Sequence, residues 1–234
     1  MQREDLLGSY EKIKRLVPTG ASFRVLDIGC GDGRVMAPFL SGHRVCGLDA
    51  DAAAVSKARE RGIVAHHGRI EERWPFADSE FDIVFALDVI EHCVDLKHFF
   101  DELNRVTMQG GYFILAVPNH FDLRTRFEML FGKGIIRWSQ RMPNESAWQY
   151  EHIRFFTRAD IRTMLVSNRW FPELWQYNFM SQGLLPTRLL PAPVRRVLAR
   201  LQPGLWSGKF VVRARREQVP AERVIILDRT PDIF

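Results

Sequence analysis

The chain has 234 residues, of which 46% are hydrophobic and 26% charged, with a formal net charge of +5. That length holds one α/β domain with its own core, and the composition excludes a disordered or fibrous chain. No apolar run is long enough for a bilayer-spanning helix, the opening Met1-Gln2-Arg3-Glu4-Asp5 lacks the pattern of a secretory signal, and Cys30, Cys46 and Cys93 have neither metal nor disulfide spacing. The expected setting is the cytoplasm, with reduced thiols.

The elements follow in chain order. Leu6, Leu7, Tyr10, Ile13 and Leu16 recur near helical spacing, which predicts a helix over Glu4–Val17. Phe23–Ile28 is a short apolar run that reads as a buried strand. It enters a turn with glycines at 29, 31 and 33, after which Arg34–Leu40 can start a helix. Arg44–Leu48 is a second strand, and Asp51–Arg61 is an alanine-rich helix stopped by Gly62. Ile63–His66 and Phe81–Leu87 are the third and fourth strands. Leu96–Val106 is a helix closed by Gly110-Gly111, and Tyr112–Val117 is a fifth strand stopped by Pro118. Strands alternating with helices at this spacing imply a parallel sheet covered on both faces.

The rhythm changes after Pro118. Asn119–Gln149 mixes Phe121, Phe127, Phe131, Trp138 and Trp148 with Arg124, Arg126, Arg137 and Arg141, without a clear period. A long irregular segment in a compact domain is usually functional, so 119–149 is expected to be a substrate lid. Thr157–Ser167 is a helix with Thr157 as its N-cap. Trp170–Phe179 and Lys209–Arg213 are two late strands, and Arg223–Leu227 reads as a further short one. Between Leu185 and Arg223 there are nine basic residues and only two acidic ones, so the rest of the chain is slightly acidic. In the excursion 182–206, Val194, Val197, Leu198 and Leu201 form an apolar stripe, with Arg195, Arg196 and Arg200 elsewhere on the turn and Pro193 at the first helical position. That stripe suits either packing on the sheet or lying at a membrane interface.

The glycine turn is the most informative feature. Glycine permits left-handed backbone angles and a close ligand approach, and a following helix start offers unpaired N–H groups to an anion. The spacing is Gly-x-Gly-x-Gly. A nicotinamide-type fingerprint would need a third glycine at 34, where the chain has Arg34. Asp49 ends the second strand, where a carboxylate can accept from both hydroxyls of a ribose. Ligands of open parallel sheets bind at the carboxyl ends of the strands, where Asp27, Gly29 to Gly33, Asp49 and Leu87 would all sit.

Taken in order, four segments resemble the class I S-adenosylmethionine-dependent methyltransferases. They are Val25-Leu26-Asp27-Ile28-Gly29-Cys30-Gly31-Asp32-Gly33, Gly47-Leu48-Asp49, Trp74-Pro75-Phe76-Ala77-Asp78-Ser79-Glu80-Phe81-Asp82-Ile83-Val84, and Arg105-Val106 through Gly110-Gly111. His152-Ile153-Arg154-Phe155-Phe156-Thr157 is similar more loosely. The resemblance implies a doubly wound, seven-stranded, mostly parallel sheet of Rossmann-like type, its last strand antiparallel, within a single domain 1–234. It implies S-adenosyl-L-methionine as cofactor. The methionine end would be held by Asp27 and the turn of Gly29, Cys30, Gly31 and Gly33. Asp49 would hold the ribose, and Ala50 would lie under the adenine. Many relatives place an acid after the third strand for the adenine amine. Here Gly68-Arg69-Ile70-Glu71 lacks it, so backbone groups of Arg69 or Ile70 are the expected substitutes. Leu87 and Asp88 would flank the sulfonium.

Asp88-Val89-Ile90-Glu91-His92 carries the catalytic candidates. If it opens a helix, residues 88, 91 and 92 share a face. It resembles the acid-x-x-Glu-His element of ubiquinone-pathway O-methyltransferases and of small-RNA 2′-O-methyltransferases. That resemblance leaves room for a divalent metal at Asp88, Glu91, His92 and His152, but the favoured alternative is that Glu91 and His92 cap a helix and His152 anchors the lid. Without metal, His92 or His152 is the expected general base, with His120 in reserve, because an imidazole titrates near neutrality. His66 and His67 receive no role.

The expected activity is methyl transfer to a small-molecule, lipid-linked or glycan acceptor, at oxygen. The excursion 182–206 would provide peripheral contact with lipid at the inner face of the membrane. Two alternatives stay open: RNA 2′-O-methylation, and donor binding without catalysis. Other nucleic-acid methylation is disfavoured. The fourth strand ends in Ala86-Leu87-Asp88-Val89 rather than Asn/Asp-Pro-Pro-aromatic, and no Pro-Cys dipeptide is present.

Overall fold

A computed structural model of the chain describes residues 13–20, 22–132, 134–135, 152–179 and 190–216. Seven strands form one sheet: β1 Arg24–Ile28, β2 Arg44–Asp49, β3 Val64–His67, β4 Phe81–Leu87, β5 Thr107–Pro118, β6 Trp170–Phe179 and β7 Ser207–Arg216. Their order is β3-β2-β1-β4-β5-β7-β6. The first five run parallel, whereas β7 pairs antiparallel with both β5 and β6. The helices are α1 Ala52–Glu60, α2 Leu96–Val106, α3 Leu123–Leu130, α4 Arg158–Ser167, α5 Ala192–Leu201 and the short α6 Pro203–Trp206.

Alternate residues of each central strand go to opposite faces, and both faces are dry. Leu26 and Ile28 of β1 and Val84 and Ala86 of β4 join the larger cluster, with Phe99, Phe100 and Leu103 of α2 and Ile161 and Leu165 of α4. Val25, Ile83 and Phe85 join the other, with Val55 and Ala58 of α1 and with Leu16, Met36 and Phe39. Burial on both faces explains why these strands read as continuous apolar runs. Helices α1, α2 and α4 start at side-chain caps: Asp51 accepts from the amides of Ala53 and Ala54, Asp95 from His98, and Thr157 forms a capping box with Asp160.

Several local expectations are corrected. Arg34–Leu40 is not an α-helix; turns lead into a single 3-10 stretch, Ala37–Ser41. Pro38 has no amide hydrogen and disfavours α geometry at Ala37, so the segment is too short to nucleate a helix. β3 lies one residue later than expected. α2 is capped by Thr107, and Gly110-Gly111 falls inside a twelve-residue β5, beside its irregular register with β4. β7 extends beyond Lys209–Arg213 at both ends. The segment after Pro118 is more regular than its composition suggests, because Asp122 caps α3 through the Thr125 amide.

Residues 4–12 of the first expected helix, residues 136–149 of the expected lid, residues 182–189 of the excursion and the expected strand Arg223–Leu227 lie outside the described residues.

Candidate functional site

The glycine turn leaves β1 at the carboxyl edge of the sheet. Gly29, Gly31 and Gly33 have φ of 69°, 52° and 76°, so the motif is required by the backbone path. A Cβ at Gly33 would sit 2.6 Å from Ile63 Cδ1, whereas one at Gly31 would meet nothing within 4 Å. Gly31 therefore faces open space, as a ligand tail needs. The turn is tied to β2: the amides of Gly29 and Cys30 donate to the Leu48 carbonyl at 2.8 and 3.2 Å. The amide of Gly31 donates to Asp49 Oδ2 at 2.7 Å, and that of Asp51 to Asp49 Oδ1 at 2.8 Å.

With no α-helix following the turn, the expected helix-start anion cradle is absent. Polar contact falls to the turn's own backbone and to two carboxylates. Asp27 is 4% exposed; burial, reinforced by the nearby Asp49 charge, pushes its carboxyl up to about 8. Burial likewise pushes the Cys30 thiol up to about 12, which makes it a wall of the turn rather than a nucleophile.

The side expected to face the adenine is built by strand register. Asp49 of β2 pairs with His67 of β3, and His67 Nε2 lies 3.0 Å from the Ala50 carbonyl. The sequence alone gives His67 no role, yet its ring engages the carbonyl of Ala50, the residue expected beneath the base. Only the strand pairing reveals this. Arg69 is exposed and pairs with Glu71 at 3.6 Å, while the Ile70 carbonyl accepts from Trp74 Nε1 at 3.3 Å.

The catalytic candidates converge by a different route from the one expected. Residues 88–92 form a bend and turn, not a helix, and Asp88 has φ of 57°. Its carboxylate pairs with Lys209 at the start of β7. Asp88 therefore leaves the expected metal set. The carbonyl of Glu91 accepts from the amides of both Ile153 and Arg154, at 3.0 and 3.1 Å. The Arg154 guanidinium donates to the carbonyls of Cys93 (2.7 Å) and Val94 (2.5 Å). This clamp lays residues 152–156 along the turn and brings the His152 ring edge-on to His92, with centroids 4.7 Å apart.

Glu91, His92 and His152 thus offer ligand atoms that all lie within 4.8 Å of one another. Glu91 is 0% exposed, and neither carboxylate oxygen has a hydrogen-bond partner among the described residues. Burial pushes its carboxyl up to about 8. An unpaired buried carboxylate is costly unless a proton or a cation joins it. A carboxylate and two imidazoles are a donor set suited to a divalent transition ion, so the residues present fit a metal. His120 stands behind them: its Nε2 lies 3.1 Å from His152 Nδ1.

An open hollow lined by Lys14, Val17, Pro38, Phe39 and His43 lies at the opposite, amino-terminal edge of β1 and β2, away from these groups.

A family profile described as "Methyltransferase domain" matches residues 26–115. A ubiquinone biosynthesis O-methyltransferase of Bradyrhizobium sp. is 28% identical over 174 residues, covering 71% of this chain and 66% of that protein. One from Chelativorans sp. is 27% identical over 146 residues, covering 59% of this chain and 57% of that protein. The chain thus spans two thirds or less of the length of these curated relatives. A Thermotoga maritima protein, described as an S-adenosylmethionine-dependent methyltransferase and possible histamine N-methyltransferase, superposes with a TM-score of 0.61. It is 20% identical, and the match covers 91% of this chain and 89% of that one, which establishes the shared fold.

Proposed function

Since this chain belongs to the class I S-adenosylmethionine-dependent methyltransferases, we propose that it methylates a hydroxyl oxygen of a small-molecule, lipid-linked or glycan acceptor, with Glu91, His92 and His152 activating that hydroxyl. The observation that carries this reading is the buried, unpartnered Glu91 carboxylate grouped with two imidazoles. An amine acceptor need only arrive unprotonated, whereas a hydroxyl must lose a proton or be polarised. In the transfer, an oxygen lone pair forms the C–O bond as the C–S bond breaks. The bonding pair stays on sulfur, giving neutral S-adenosylhomocysteine, and the hydroxyl proton leaves to a base.

Asp27, Gly29, Cys30, Gly31 and Gly33 would take the methionine portion of the donor, Asp49 the ribose, and Ala50, Arg69 and Ile70 the adenine surroundings. Leu87 would lie beside the sulfonium. Glu91, His92 and His152 would hold a divalent ion, which when bound supplies Lewis acidity that lowers the hydroxyl pKa. In its absence an imidazole of His92 or His152 is the base.

A labelled-methyl assay with a panel of phenols, catechols and sugar alcohols tests the reading, run before and after exhaustive chelation. His92→Ala and His152→Ala should each lose transfer by about 100-fold or more while still binding S-adenosylhomocysteine. Undiminished transfer in both variants would end it. Transfer that survives chelation but falls in the variants assigns the step to an imidazole alone.

Lipid contact is favoured by one further observation. Val194, Val197 and Leu201 on α5 are 42%, 53% and 70% exposed. Three of the four stripe residues therefore face outward while Leu198 is half-buried, with Arg195 and Arg200 on the same helix. No helix among the described residues is long and apolar enough to cross a membrane. Sedimentation with anionic vesicles should show salt-sensitive binding that neutral vesicles do not support; equal recovery with both lipid types removes the idea.

A further inference from the structure

We propose that His120 is a positioning residue that fixes the proton of His152 on Nδ1, so that His152 presents a bare Nε2 to Glu91 and His92. The inference rests on the proposed role of His152 in activating the acceptor.

His152 Nδ1 and His120 Nε2 are 3.1 Å apart. Two neutral imidazoles at that separation share one hydrogen, so protonating one of these nitrogens leaves the other bare. Whether His152 holds an ion or takes a proton, it must do so through a nitrogen lone pair. With Nδ1 turned to His120, Nε2 is the nitrogen the proposal assigns to the cluster. A bare Nε2 requires a hydrogen on Nδ1 and an acceptor for it, and His120 Nε2 stands in that place.

The acceptor is held rigidly. His120 is 1% exposed and packs edge-on against Phe155, with centroids 4.9 Å apart at 84°. The preceding Asn119 is fastened through Nδ2 to the carbonyls of Gly204 (3.1 Å) and Ser207 (2.7 Å), and its Oδ1 accepts from Phe121. Following β5, these bonds tie His120 to the lead-in of β7, while His152 is clamped to the turn after β4. The pair therefore spans two independently anchored segments. His120 lies outside the Glu91–His92–His152 group and would act on it through His152.

The test is the two-bond nitrogen–proton spectrum of protein labelled with 15N-histidine, together with cobalt(II) titration. Wild type should show His152 protonated on Nδ1. His120→Phe, which keeps a flat ring but no acceptor, should move that proton to Nε2 and weaken cobalt binding by about 10- to 100-fold. His120→Gln, whose amide oxygen reaches the same place, should restore the Nδ1 tautomer and most of the affinity. The proposal is overturned if wild-type His152 carries its proton on Nε2, or if His120→Phe leaves the tautomer unchanged. Equal losses in the Phe and Gln variants also overturn it. Should His120→Phe fail to fold, the wild-type and Gln spectra decide the matter. A wild-type protein that takes up no cobalt refutes the metal at this cluster instead, and the tautomer spectrum still settles the pairing.

Discussion

The amide of Gly31 donates to Oδ2 of Asp49 at 2.7 Å, so the carboxylate expected to hold the donor's ribose also holds the turn expected to hold its methionine end. One group would thereby set both halves of the proposed crevice. Asp49→Asn removes the charge but keeps the size. Calorimetry with S-adenosylhomocysteine should show affinity reduced by about 10- to 100-fold, the loss of one or two charge-assisted hydrogen bonds. Wild-type affinity in that variant would remove Asp49 from the donor site.

Asp27 makes stability depend on pH in an unusual direction for a carboxyl. Burial raises it to about 8, so the folded state favours its protonated form. Its stabilising contribution is complete below the ordinary carboxylate value of about 4 and is lost as pH rises through about 8. Urea midpoints should fall as pH rises from about 4 to about 8 and level off above that. Asp27→Asn should flatten part of that slope, and Glu91, raised for the same reason, accounts for a further part. An unchanged slope in Asp27→Asn would show that Asp27 is ionised throughout.

Gly33 tests whether the turn is a backbone requirement. Its φ is 76°, and an added Cβ would meet Ile63 Cδ1 at 2.6 Å and the Ala58 backbone at 3.2 Å. Gly33→Ala should cost about 1–3 kcal/mol in denaturant unfolding, from left-handed strain plus overpacking against α1. Gly31→Ala meets no neighbour, so it should unfold closer to wild type while weakening donor binding.

The segment between β3 and β4 hangs on a buried ion pair. Glu102 accepts from Arg105 at 2.7 and 2.8 Å and from the Trp74 amide at 2.7 Å; Arg105 also reaches the carbonyls of Trp74 and Phe76. Glu102→Ala would leave the Trp74 amide without its acceptor and the largely buried Arg105 guanidinium with only the exposed Asp78 as a charge partner beside the two carbonyls, at about 1–3 kcal/mol. A midpoint within experimental error of wild type would show that the pair contributes little.

What the sequence determined was local and periodic. The strand, the glycine turn and Asp49 were legible because backbone sterics and alternating burial act over a few residues, and the sheet class follows from the βα rhythm. His92 and His152 stood out as catalytic candidates through the motif resemblance. Local reading failed where a single residue broke the pattern, as Pro38 did for the helix after the turn, or where strand pairing outweighed punctuation, as it did at Gly110-Gly111.

Tertiary structure alone decided which side chains meet. Asp88 and Glu91 are close in sequence, yet Asp88 turns to Lys209, 121 residues away, while Glu91 joins His92 and the distant His152. His120 and His152, 32 residues apart, meet because the ends of β4, β5 and β7 gather at one edge of the sheet. Contacts of that kind depend on strand order and on where each loop is fastened. No spacing along the chain encodes them, because the energy that fixes them comes from burial and hydrogen bonding between segments that share no local pattern.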